Sequence, residues 1–174
     1  MQTSNESQIA NSDHVCAISL AKRGYGLLIR AASLLQSPLL LLLRLYWGWQ
    51  FFETGKGKLM NHDKVTAFFQ QLHIPFPGFN VYLAGSTECF GGLLLLIGLG
   101  SRLVSLPLLF TLTIAYVTAE SDALKAIFSD PDKFTSAAPF LFMLACFVVL
   151  AFGPGKFSVD WFLEKKFFGK TNPA

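Results

Sequence analysis

Two ionisable residues interrupt stretches that otherwise read as hydrocarbon: Arg44 in SPLLLLLRLYWGWQFFET (37–54) and Glu88 in FNVYLAGSTECFGGLLLLIGL (79–99). A charge near the middle of a bilayer costs on the order of 2.5–3.5 kcal/mol on insertion scales, so each needs a partner or a wet cavity. Counted along helices, Arg44 lies roughly 10 Å beyond Ser37 and Glu88 roughly 16 Å from Leu99. An extended arginine covers the difference of roughly 6 Å, and the sequence therefore predicts an Arg44–Glu88 ion pair between the first two spans. Glu88 is flanked at i−4, i−3, i+3 and i+4 by Ala84, Gly85, Gly91 and Gly92, and Gly48 follows Arg44 by one turn. Small residues at these positions let helix backbones approach closely.

Around the pair, Trp47, Trp49, Gln50 and Lys58 complete a candidate pocket, with Lys58 at its outer mouth. Arg44 and Lys58 would hold acceptor oxygens, and Glu88 would take or give a proton. The same ion pair has a purely structural reading as a clamp that specifies helix packing.

Cysteine and histidine narrow the chemistry further. Cys16, Cys89 and Cys146 form no CxxC pair, so neither a disulfide framework nor a zinc ribbon is signalled. Cys89 and Cys146 fall at similar depths in two different spans and could face each other as redox thiols, although a buried free cysteine more often serves as a small hydrophobe. His14, His62 and His73 all lie outside the spans, which denies the chain an intramembrane His–His haem site. On one helix His62 and His73 would be roughly 16 Å apart, too far to chelate one metal. The expectation is no metal and no intrinsic cofactor, with any electron transfer relying on a partner.

The elements that must position these residues are transmembrane helices. Hydrophobic residues make up 52% of the 174, charged residues only 14%, and mean hydropathy is +0.47, too apolar for an ordinary soluble domain. Four windows, about 37–54, 79–99, 102–119 and 134–152, approach the length needed to cross a hydrocarbon core of about 30 Å. Their apolar residues run continuously instead of alternating, which points to helices and not to barrel strands. The fold class is thus an all-α membrane protein: one four-helix bundle over residues 24–170, preceded by a flexible polar tail (1–23) and followed by a short one (171–174). GYGLLIRAASLLQ (24–36) reads as an interfacial lead-in to the first span.

In the first loop, Val65, Phe68, Phe69 and Leu72 share one helical face, which predicts a short amphipathic helix ended by Pro75 and Pro77. Asp130-Pro-Asp132 in the second loop reads as a turn or helix start. Four spans place both termini on one side. That side holds Lys22, Arg23, Arg30, Arg102, Lys156, Lys165, Lys166 and Lys170, eight in all, against five (Lys56, Lys58, Lys64, Lys125, Lys133) in the opposite loops. The excess predicts cytoplasmic termini in a bacterial-type cytoplasmic (inner) membrane. The net charge of +3 comes with no basic patch away from the membrane ends, so nucleic acid is not an expected partner.

The order of several short motifs resembles the DoxX family of small four-helix membrane proteins, over about residues 40–160. Arg44 is followed by an aromatic helix ending in GKGKLM (55–60), where Gly55 and Lys58-Leu59 fit a glycine-x-x-lysine-leucine element. FFQQLHIPFP (68–77), ECFGGLLLLIGLGSR (88–102) and GPGKFSVD (153–160) complete the match. The resemblance implies a four-helix bundle in the cytoplasmic membrane and an association with oxidoreduction. Relatives of this type serve as subunits of a thiosulfate:quinone oxidoreductase or as membrane partners of thiol- and superoxide-handling enzymes. It carries over Arg44, Lys58 and Glu88 as family-type polar positions, without an assigned catalytic residue.

The leading expectation is therefore an accessory or quinone-associated subunit of a membrane redox system, more an oxidoreductase-associated subunit than a self-contained enzyme. Its pocket would take a quinone head group, a sulfur oxyanion or a small lipid-like molecule. The expected partners are the lipid bilayer and a redox protein, with a homo-oligomer as a further option. Two alternatives stand beside it: a non-enzymatic scaffold or assembly factor, and a small-molecule or proton pathway.

Overall fold

The computed structural model describes residues 3–167 and 169, with side chains from 22 to 166. Every regular element among them is an α-helix: α1 (Thr3–Met60), α2 (His62–Gln71), α3 (Pro77–Ile97), α4 (Ser101–Thr118), α5 (Ser121–Lys125), α6 (Pro131–Ser136), α7 (Ala138–Phe152) and α8 (Val159–Phe167). α1 is assigned from Thr3, so helix also covers residues 3–23, where the sequence predicts a tail. Residues 171–174, the second expected tail, lie outside the described residues, as do the side chains of His14 and Cys16.

The chain divides into two units, Met1–Ser37 and Pro38–Ala174. In the first unit the described side chains are largely exposed, including Tyr25, Leu28 and Leu34. The division falls where the first span is expected to begin, and the functional residues all belong to the second unit.

Local chemistry accounts for the breaks between helices. α3 starts with Pro77, whose missing N–H is no loss in a first turn, and ends at Gly98, which takes the left-handed conformation (φ 75°) that glycine adopts without penalty. α7 ends at Gly153 and Pro154. The fourth expected span, 134–152, is divided: Pro139 lacks an N–H and clashes with a preceding helical turn, so the chain extends at Ala137 (ψ 137°) between α6 and α7. α7 alone has 15 residues, about 22 Å of helix. Asp130 accepts from the Lys133 backbone N–H and opens α6 at Pro131, so the acidic turn is a helix start.

The second unit is built on α3, α4, α7 and the part of α1 after Pro38. Phe51, Leu95, Leu108, Leu112, Cys146 and Val149 form one buried cluster drawn from these four helices. Outside it, large apolar side chains are exposed on the same helices, among them Phe90, Leu103, Phe110 and Phe147. Contiguous apolar surface of this kind is stable only against another apolar phase. Three helical stretches, Lys22–Met60, Pro77–Ile97 and Ser101–Thr118, are long and apolar enough to cross a bilayer, and Ala138–Phe152 is a shorter apolar helix. The architecture is that of an all-helical membrane protein.

Candidate functional site

Glycine sets the distance between α1 and α3. A Cβ on Gly55 would lie 2.7 Å from the carbonyl oxygen of Gly85, and one on Gly92 would lie 2.7 Å from that of Gly48. Gly48 thus faces Gly92 and Gly55 faces Gly85, two helical turns apart on each helix, so the two run antiparallel with their backbones in contact. No other residue type permits this approach.

The seam brings Lys58 to Glu88. Lys58 Nζ donates to Glu88 Oε1 and forms an ion pair with it. The glutamate side chain is only 5% exposed and the lysine 30%, so the carboxylate is the deeply buried partner. Glu88 Oε2 is buried and has no hydrogen-bond partner among the described residues.

Beside the pair is a cavity of about 150 Å³ to which all four principal helices contribute. Lys58, Glu88 and Thr54 form its polar wall; Phe51, Leu112, Ala115, Ala138, Pro139 and Phe142 form the apolar one. Thr54 Oγ1 donates to the Phe51 carbonyl at 3.0 Å, so its hydroxyl is engaged along its own helix. The arrangement offers the spare N–H groups of one ammonium, beside a buried carboxylate, to a molecule in an open and mostly apolar pocket.

The expected Arg44–Glu88 pair does not form. Arg44 is fully buried, and its guanidinium donates from Nη1 to the Pro154 carbonyl and from Nη2, at 2.9 Å, to that of Phe157. Its surroundings explain the choice: a Cβ on Gly98 would lie 2.7 Å from Arg44 Nη1, which places the guanidinium at the α3–α4 turn. Lys58 sits in the last turn of α1 and reaches Glu88 from the opposite end. Depth arithmetic fixes height along the bundle but not the direction in which a long side chain extends.

Asp160 completes the Arg44 end. Its carboxylate accepts from the backbone N–H groups of Gly100 (2.7 Å) and Ser101 (3.0 Å), while its own N–H donates to the Gly98 carbonyl at 2.9 Å. The first N–H groups of α4 have no partner within the helix, and an anion there also complements the helix dipole. Asp160 is the cap that the α4 sequence lacks.

The other expected pocket residues lie apart from the cavity. Trp47 makes an edge contact with Phe142 (centroids 4.8 Å apart), so it supports the apolar wall from behind. Trp49 is exposed beside Phe52, and Gln50 is half-buried. Both Cys89 and Cys146 are free thiols. Cys146 is wholly buried in the core cluster, as a small hydrophobe would be, whereas the Cys89 backbone packs on Gly55. His62 places Nε2 3.2 Å from the Gly78 carbonyl and stacks on Tyr82, tying α2 to α3.

Sequence reasoning missed Thr54, Ala115, Pro139 and Phe142 as walls and Asp160 as a cap. Only GPGKFSVD signalled the last, as a motif without a role.

A membrane helical bundle with a buried ion pair beside a small cavity defines the class of protein, and comparison with known families is specific. The DoxX family model, described as "DoxX", matches residues 39–121. A Bacillus subtilis protein described as "Putative oxidoreductase CatD" is 30% identical over 132 residues, covering 76% of this chain and 90% of the relative. An "Uncharacterized protein" of Haemophilus influenzae is 24% identical over 136 residues, covering 76% of this chain and 87% of that one. No solved structure matches. The chain belongs to the DoxX family.

Proposed function

We propose that this DoxX-family protein is an accessory, quinone-associated subunit of a membrane redox system, and that the cavity beside Lys58 and Glu88 is where its ligand sits. The observation that carries this reading is the Lys58–Glu88 ion pair at the wall of an otherwise apolar cavity. Ligand sites are typically apolar pockets with a few placed polar groups that fix orientation. A cavity of about 150 Å³ with apolar walls is of the size that admits a benzene ring, so one quinone-sized ring fits. The relative described as an oxidoreductase gives the redox part its support.

In this reading α7, with help from α6, makes a fourth crossing, both termini are cytoplasmic in an inner membrane, and α2 lies along the opposite surface. Partners are the bilayer and a redox chain, with a second copy of the same chain as an alternative.

The second reading is a scaffold, favoured by Arg44, whose two bonds to backbone carbonyls serve packing alone. Purification from gently solubilised membranes separates the two. The first reading expects quinone and a redox chain to be recovered together; the second expects partner chains without quinone.

A further inference from the structure

From the way α8 is tied to the bundle we infer a binding site for an anionic phospholipid, formed by the exposed basic and apolar side chains of α8 and of the α3–α4 turn. The inference is independent of the cavity and of its ligand.

The depth of α8 in the bilayer follows from its bonds. α3 and α4 are both long and apolar enough to span, and only residues 98–100 separate them, so the turn between them stands at a membrane surface. The Asp160 carboxylate accepts from the Gly100 and Ser101 backbone N–H groups, and its own N–H donates to the Gly98 carbonyl. A Cβ on Gly98 would lie 2.8 Å from that of Ser158, and the Arg44 guanidinium holds the Pro154 and Phe157 carbonyls just ahead of it. Ser158 Oγ in turn accepts from the Trp161 N–H at 3.1 Å and caps α8 itself. A helix that starts here lies at the depth of the lipid head groups.

Its side chains suit that depth. Val159, Phe162 and Leu163, at i, i+3 and i+4, share one face and are exposed, as is Phe157 just before them. Arg102, Lys156, Lys165 and Lys166 are exposed as well, and Lys165 Nζ lies 5.2 Å from the centre of the Trp161 ring. Among the described residues of the turn and of 153–166, the one exposed carboxylate is Glu164, because Asp160 spends both oxygens on α4. Apolar side chains that enter the acyl region, beside cations that meet phosphate, are the means by which an interfacial helix holds anionic lipid. A second copy docked face to face would bring the same cations together, so charge favours lipid as the occupant.

Native mass spectrometry of the purified full chain in a non-ionic detergent, with equimolar phosphatidylglycerol and phosphatidylcholine of matched acyl chains, tests this. The expected result is preferential retention of phosphatidylglycerol, lost when ammonium acetate is raised from about 50 to about 500 mM. Arg102→Gln/Lys156→Gln/Lys165→Gln, folded by circular dichroism, should bind phosphatidylglycerol at least about tenfold more weakly, since each interfacial cation accounts for roughly fivefold. Lys64→Gln/Lys125→Gln/Lys133→Gln, which removes the same charge from exposed positions on α2, α5 and α6, should leave binding unchanged. Equal retention of the two lipids, a preference that survives salt, or an equal loss in the two triple variants overturns the inference. So does retention of neither lipid, whether the chain runs as a monomer or as a dimer.

Discussion

Gly55 and Gly85 touch backbone to backbone: a Cβ on Gly55 would fall 2.7 Å from the Gly85 carbonyl oxygen, and Lys58 and Glu88 each follow their glycine by three residues. Because the helices run antiparallel, these two residues lie on opposite sides of the contact, roughly 9 Å apart along the axis, and the long lysine side chain reaches back along the seam to the carboxylate. The ion pair depends on the seam.

Gly55→Ala must push α1 and α3 apart, because the obstacle is backbone and cannot rotate away. Overpacking of this kind costs about 1–3 kcal/mol. Gly57, with nothing within 4 Å of its Cβ position, is the internal control. Thermal unfolding in detergent should show a clear loss for Gly55→Ala, while Gly57→Ala stays level or gains slightly from better helix propensity.

Removing one member of the Lys58–Glu88 pair should be worse than removing both. Glu88 is 5% exposed and Lys58 30%, so stranding the glutamate costs more than stranding the lysine. Breaking a buried pair costs about 3–5 kcal/mol, whereas apolar replacement of both partners is often nearly neutral. In a double-mutant cycle the expected order of stability is Lys58→Met lowest, Glu88→Leu next and the double variant close to the original. A double variant less stable than both singles would show that the two residues are not coupled.

How much of this was legible in the sequence follows from what each signal measures. Hydropathy runs identified α3 and α4 nearly to the residue, because lipid-facing helices must be apolar along their length. The glycines around Glu88 mark a close helix contact because small residues at helical spacing have few other uses inside an apolar span. Arg44 was assigned the wrong partner because its true ones, Pro154 and Phe157, are backbone carbonyls 110 and 113 residues away. A carbonyl acceptor leaves no mark in residue type. Phe142 and Pro139 escaped for a related reason: one apolar residue in an apolar helix looks like another until the chain folds.

Arg44→Lys tests the other end of the bundle. The guanidinium fork holds two carbonyls at once, and an ammonium is not equivalent at a bidentate site. The segment 153–160 should become more susceptible to proteolysis at Lys156 with little loss of helix content by circular dichroism. Unchanged cleavage rates would mean that Arg44 does not hold this segment.

Asp160→Asn keeps one carboxamide oxygen for the α4 N-terminus but loses the second acceptor and the charge. Loss of a cap costs about 1 kcal/mol. A fall in thermal midpoint of that order is expected, smaller at high salt because the charge component is screened.

The most direct measurement of the central claim is the quinone content per chain of protein purified in mild detergent, compared between the unmodified chain and folded Lys58→Met/Glu88→Leu. The account predicts bound quinone with the unmodified chain and little or none with the double variant. Equal quinone in both, or none in either, would contradict it.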